Sequence, residues 1–254
     1  MSDMAFETDR LTLRYGNFTA IDQVSLKVPT GARHAIIGPN GAGKTSFVSA
    51  LTGSARATSG RIVLGGEDVT RQSQAQRVRR GMARTFQINR LFTELTVLEN
   101  IQMALIERDG SSHVCWRSLA SRTHLADEAR ALLTLVQLDA QAGSRVAALA
   151  YGQRRLVEIA IALATRPRVL ILDEPAAGVP AAQSELIFER ISGLPKDMTL
   201  VFIEHDMNLV FRFAERITVL VSGRVMVEGT PAEIRNDDRV REVYLGRQRH
   251  HPYA

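Results

Sequence analysis

The chain has 254 residues, a formal net charge of +5 and 45% hydrophobic residues, enough for one large domain or a domain with a lobe. No run approaches the roughly 18–20 apolar residues that a bilayer crossing requires, and Met1-Ser2-Asp3-Met4 lacks the basic start and apolar core of a secretory signal; a soluble, intracellular protein is expected. The single cysteine, Cys115, excludes an internal disulfide and a cysteine-clustered metal site.

Taken in order, Leu11–Tyr15 and Val24–Val28 alternate as half-buried antiparallel strands do. Arg33–Ile37 is a third strand. It feeds Gly38-Pro39-Asn40-Gly41-Ala42-Gly43-Lys44-Thr45, a complete G-x-x-x-x-G-K-[ST] run, and a helix over Thr45–Leu51 follows. Glycines let the backbone curl so that successive N–H groups face inward as an anion nest, and the helix start adds its positive dipole end. Lys44 is expected to reach the β- and γ-phosphates of a nucleoside triphosphate and the Thr45 hydroxyl to hold Mg²⁺, with Ser46 next to them.

Gly60–Gly66 reads as a short strand and turn, 74–80 as helix and Met82–Phe86 as strand. The middle changes character. Leu98–Ile106 and Leu125–Leu138 carry helical spacing, with a loop signal at Asp109-Gly110-Ser111-Ser112. A third helix begins near Gly152, because Leu156, Ile159, Ala160 and Leu163 fall on one face, and it stops before Pro167. The α/β pattern then resumes: an apolar strand Val169–Leu172, a helix Ala181–Ile191, a buried strand Leu200–Ile203, another helix, a hairpin of Ile217–Val221 and Val225–Glu228 turning at Ser222-Gly223, and two short closing helices. A helical lobe inserted into one α/β core fits better than two domains in series.

Asp173-Glu174 ends the strand 169–172, where nucleotides bind in open α/β sheets. Asp173 is expected to hold Mg²⁺, directly or through water, and Glu174 to act as general base on the attacking water. His205 follows the next buried strand and emerges at the same sheet edge, placed to touch the γ-phosphate or orient the water. Leu149-Ala150-Tyr151-Gly152-Gln153 precedes the amphipathic helix, whose start offers free N–H groups to an anion that nothing local specifies. Basicity is almost all arginine: of 32 Lys+Arg residues only Lys27, Lys44 and Lys196 are lysines. The clusters at Arg77, Arg79, Arg80, Arg84 and at Arg235, Arg239, Arg241, Arg247, Arg249 read mostly as solvated helix faces, and no nucleic-acid surface is expected.

The order Tyr15, glycine loop, Gln87, Leu-Ala-Tyr-Gly-Gln, strand-end Asp-Glu and following His resembles the nucleotide-binding subunit of an ABC transporter over essentially the whole chain. Gly81–Gln87, Leu95–Asn100, Leu172–Gly178, Glu204–Met207, Glu228–Pro231 and Val243–Gly246 narrow the resemblance to the LivG-type ATPases of branched-chain amino acid importers. The resemblance implies an α/β P-loop NTPase (RecA-like) core with an N-terminal antiparallel β-subdomain and an inserted α-helical subdomain. It divides the single domain 1–254 into a catalytic core (1–87 and 166–254) and a helical subdomain (88–165). It implies ATP and Mg²⁺ as ligands, Tyr15 stacked on adenine, and Gln87 sensing Mg²⁺ and the attacking water. Leu149–Gln153 becomes the signature segment presented to ATP on an opposite subunit.

The partners that follow are a second ABC ATPase (identical or related), two transmembrane permease subunits and, indirectly, a solute-binding protein. The location that follows is peripheral, on the cytoplasmic face of the inner membrane. An exporter or lipid-extraction ATPase is the alternative, because the engine is shared. Two features depart from the pattern. Ala150 and Tyr151 stand where most ABC ATPases carry Ser and Gly, and Gly178-Val179-Pro180-Ala181 lacks the usual Asn or Asp that communicates across the dimer.

Overall fold

The computed structural model describes residues 3–85, 91–110 and 123–245, which fall into two compact units. The first runs through Arg77 and resumes at Thr199; the second spans Val78–Met198. In chain order come β1 (Met4–Tyr15), β2 (Phe18–Pro29), β3 (Arg33–Ile37), α1 (Lys44–Thr52), β4 (Ser59–Leu64), β5 (Glu67–Asp68) and α2 (Gln74–Arg79). Next are β6 (Met82–Arg84), α3 (Val97–Arg108), α4 (Thr123–Leu135), α5 (Tyr151–Ala164), β7 (Val169–Asp173) and α6 (Ala181–Ser192). The chain ends with β8 (Thr199–Ile203), α7 (Met207–Phe213), β9 (Arg216–Val221), β10 (Arg224–Gly229), α8 (Pro231–Asn236) and α9 (Asp238–Leu245).

In the first unit, β1 is flanked by β2 and β4 in an antiparallel sheet of order β2-β1-β4-β5. Both long strands extend well beyond the predicted 11–15 and 24–28. The reason is visible in the backbone. The β1/β2 register shifts between Thr8 and Leu11, and Arg10 (φ 43°) and Gln23 (φ 52°) are left-handed, so bulges interrupt the period-two alternation that marks a strand in sequence. The second group of strands runs β10-β9-β3-β8, with β3 parallel to both β8 and β9 and β10 antiparallel to β9. All five residues of β8, and four of the five of β3, are buried, as parallel strands covered on both faces require. The β9–β10 turn places Ser222 (φ 49°) and Gly223 (φ 76°) in the left-handed region that a two-residue hairpin needs.

Arg77 is not a solvated residue. It is 2% exposed, and its guanidinium donates to the carbonyls of Ala50 (2.7 Å), Leu51 (2.6 Å), Thr70 (3.0 Å) and Gln72 (3.2 Å). A cation thus closes the carboxyl end of α1, satisfying orphan carbonyls and the negative dipole end together. The same arginine cluster loses Arg84 to the interior as well. We expect Arg77→Met to destabilise the protein by about 3 kcal/mol, because buried carbonyls lose a charged donor; urea unfolding measures it, and an unchanged midpoint would show that the contacts are energetically idle.

In the second unit β6 runs parallel to β7, and α3, α4 and α5 pack against one another through apolar faces that include Ile101, Leu105, Leu132, Leu156 and Ile159. Thr96 starts α3 with a capping box: Glu99 N–H donates to Thr96 Oγ1 (3.2 Å), and Thr96 N–H donates to Glu99 Oε2 (2.8 Å), which holds the Glu99 carboxyl below its usual range. Glu128 on α4 receives Arg108 from α3 (2.9 Å) and Arg166 from beyond α5 (3.0 Å), tying the three helices at one end. The helix predicted to Leu138 ends at Leu135, because Gln137 takes φ 54°. The architecture is the expected α/β core with an antiparallel β-subdomain and an inserted helical group.

Candidate functional site

The glycine loop leaves the carboxyl end of β3 and closes onto α1. Two of its glycines are compelled by sterics. A Cβ at Gly38 would lie 2.2 Å from the Leu220 carbonyl oxygen, and one at Gly43 (φ 99°) 2.5 Å from that of Ala20. The loop is pinned from outside. Gly223 N–H donates to Ala42 O (2.9 Å) and Asp22 N–H donates to Gly223 O (2.8 Å), while the Tyr244 phenol on α9 lies near the Gly38 backbone. Burial pushes the Tyr244 phenol up to about 12 against the opposing influence of that backbone. Lys44 is buried and bends back over the loop, its ammonium donating to Gly38 O (2.7 Å) and Pro39 O (3.2 Å). Pro39 is half-buried, Asn40 and Gly41 are exposed, and Ala42 is buried. Thr45 is exposed and Ser46 half-buried in the first turn of α1, which contains no acidic side chain to compete for an anion.

Two further residues belong to this unit. His205 is exposed two residues beyond β8, and since β3 and β8 are parallel with Ile36 opposite Ile203, it shares the loop's sheet edge. Asp206 beside it caps α7 by accepting from Asn208 N–H (2.8 Å). Tyr15 ends β1 with half its surface exposed, opposite the still more exposed Phe18 across a tight turn. Two neighbouring exposed rings on a strand end can offer a flat base a stacking face.

In the second unit Asp173 and Glu174 end β7 as expected. The Asp173 side chain is wholly buried. Its Oδ2 accepts from Arg84 Nη2, its own N–H donates to Thr85 Oγ1 (3.4 Å), and its Oδ1 has no hydrogen-bond partner. That orphan acceptor, in a buried carboxylate, is suited to a cation or a cation-bound water. Among the described residues no three His, Cys, Asp or Glu side chains cluster as metal ligands, so an ion here would depend on hydroxyl, water or phosphate oxygens as well. Glu174 is half-buried and adopts φ 50°, an uncommon conformation for a non-glycine residue. Gln87 lies outside the described residues.

Leu149 is buried, Ala150 occupies the N-cap of α5, Gly152 is buried and Gln153 half-buried. Gln153 Oε1 accepts from Ala150 N–H (3.1 Å), but alanine has no oxygen with which to cap the first-turn amides in return. The two sequence departures meet here. A Cβ at Gly178 would lie 3.6 Å from the Tyr151 ring and hydroxyl, and Tyr151 OH accepts from Arg155 Nη2 (2.8 Å). Tyr151 therefore lies against Gly178, at the start of the stretch without a polar residue. The reading of the sequence missed Tyr244 and Arg84. Arg84 had a signal, since an arginine inside a short apolar strand is costly unless paired.

An anion-gripping loop of this build, at the carboxyl edge of a parallel sheet, makes the chain a P-loop nucleotide-binding protein. Comparison with known proteins narrows that class. The family described as ABC transporter matches residues 21–177, and the family described as branched-chain amino acid ATP-binding cassette transporter matches residues 224–250. The chain belongs to the ABC transporter family, as one of its ATP-binding, ATP-hydrolysing subunits.

The high-affinity branched-chain amino acid transport ATP-binding protein BraF of Pseudomonas aeruginosa is 37% identical over 253 residues, 97% of this chain and 99% of its own. LivG of Escherichia coli K12, which carries the same description, is 36% identical over the same shares. A nucleotide-free ATP-binding cassette from an ABC transporter superposes with a TM-score of 0.84 at 30% identity, covering 95% of this chain and 98% of that one. The ADP conformation of an ATP-binding cassette of an ABC transporter gives 0.84 at 29%, covering 96% and 100%.

Proposed function

We propose that this chain powers an ABC importer of branched-chain amino acids or related small polar solutes across the inner membrane. The observation that carries the reading is similarity along nearly the full chain to branched-chain amino acid transport ATP-binding proteins, together with the separate match at residues 224–250. None of these relatives favours an exporter. No helix among the described residues is long and apolar enough to cross a membrane. As in the family it resembles, the chain acts from the cytoplasmic face, docked on two permease subunits fed by a solute-binding protein.

In this reading the catalytic core comprises 1–87 and 166–254 and the helical subdomain 88–165. The Gly38–Ser46 loop, through its free amides, and the Lys44 ammonium bind the ATP phosphates, and Tyr15 stacks on adenine. Thr45 and Asp173, with Gln87, would hold Mg²⁺, which would supply charge neutralisation to the triphosphate. Glu174 takes the proton of the attacking water, and His205 bonds the γ-phosphate. Leu149–Gln153 contacts the triphosphate held by a second ABC ATPase, identical or related, through backbone amides and Gly152 in place of the missing serine. Closure of the pair follows because each nucleotide adds contacts in the closed state only, and loss of phosphate removes them.

Deleting the gene in its host and measuring uptake of radiolabelled leucine, isoleucine and valine tests the assignment. Uptake should collapse and return with the wild-type gene but not with Glu174→Gln. Undiminished uptake of all three, with loss of another solute, would reject the substrate assignment.

A further inference from the structure

The ion pair of Arg84 and Asp173 divides one carboxylate into two unlike halves. Oδ2 is taken by a guanidinium on the adjacent parallel strand, while Oδ1 is a buried acceptor with no partner. Arg84 comes from a position 89 residues earlier, opposite Ile171 in the β6/β7 register, and its side chain is 11% exposed against 0% for Asp173. A carboxylate so deeply buried is tolerated only with a partner, and a guanidinium anchored on the neighbouring strand supplies one through a single nitrogen.

The pair has no net charge. A bare divalent cation approaching Oδ1 meets an acceptor whose negative charge is already balanced, with a fixed positive charge beside it. A cation carried on a triphosphate, whose complex is itself anionic, meets no such opposition.

We infer that Arg84 is a positioning residue that makes divalent-cation binding at Asp173 conditional on the nucleotide, by neutralising Oδ2 and leaving Oδ1 as the acceptor. This rests on the reading of Asp173 as a metal-holding residue. A mere strut between β6 and β7 would leave cation binding untouched by the charge at position 84.

Mn²⁺ binding to the purified full chain, followed by electron paramagnetic resonance of the free ion with and without ATP, tests it. Wild type should bind Mn²⁺ weakly alone and strongly with ATP. Arg84→Gln should bind Mn²⁺ without nucleotide about tenfold more tightly or better, Arg84→Lys should stay close to wild type, and Arg84→Gln/Asp173→Asn should lose the gain. A folded Arg84→Gln with unchanged nucleotide-free affinity overturns the inference. So does a wild-type chain that takes up Mn²⁺ tightly without ATP and loses it in Asp173→Asn, an outcome independent of whether the Arg84 variants fold. If Asp173→Asn leaves ATP-linked Mn²⁺ binding intact, the metal role of Asp173 itself fails.

Discussion

Lys44→Ala is expected to lower ATP turnover by about 10²–10³-fold, the range seen when one preorganised donor to developing charge is removed. The physical case is local. Lys44 is buried at the start of α1, and its ammonium is already held over the loop by two main-chain carbonyls, so little reorganisation is needed when phosphate oxygens arrive. Alanine leaves the amide nest and the helix start in place but removes the charge that opposes the triphosphate. Phosphate release under saturating ATP measures the effect. Turnover within threefold of wild type would remove the loop from its assigned role.

The second large effect falls on Glu174. Glu174→Gln should leave ATP binding nearly unchanged while slowing hydrolysis about 10²–10⁴-fold, the usual weight of a general base. The amide keeps the size and shape of the carboxylate but cannot take a proton. The chain holds Glu174 at φ 50°, a backbone conformation that few non-glycine residues adopt and that often marks functional sites. Stalled hydrolysis should also trap the nucleotide-closed pair, so light scattering should report a dimer with ATP that wild type forms only transiently. An undiminished hydrolysis rate would take the base role away from Glu174.

Much of this arrangement was legible because local chemistry and global fold agree. The glycine loop, the all-apolar strands and the Asp-Glu strand end each carry a signal that does not need a distant partner. Helix starts were legible in principle to the residue: Thr96 with Glu99, and Thr230 with Glu233, are both capping boxes in the structure. What escaped depends on chain segments far apart in sequence. The first halves of β1 and β2 were missed because bulges at Arg10 and Gln23 disturb the alternation. Arg77 looked like one arginine in a solvated run, yet it is buried against carbonyls 26 and 27 residues away. The meeting of Tyr151 with Gly178, and of Tyr244 with Gly38, could not be read from either residue's neighbours.

Everything else in this mechanism requires that the loop from Gly38 to Thr45 grip a triphosphate. Calorimetric titration of the purified chain with ATP and Mg²⁺, beside the same titration of Lys44→Ala, tests it most directly. Saturable binding of one nucleotide per wild-type chain, lost or greatly weakened in the variant, is the predicted result. A wild-type chain that binds no ATP, or a variant that binds it equally well, would show that the loop does not hold the nucleotide.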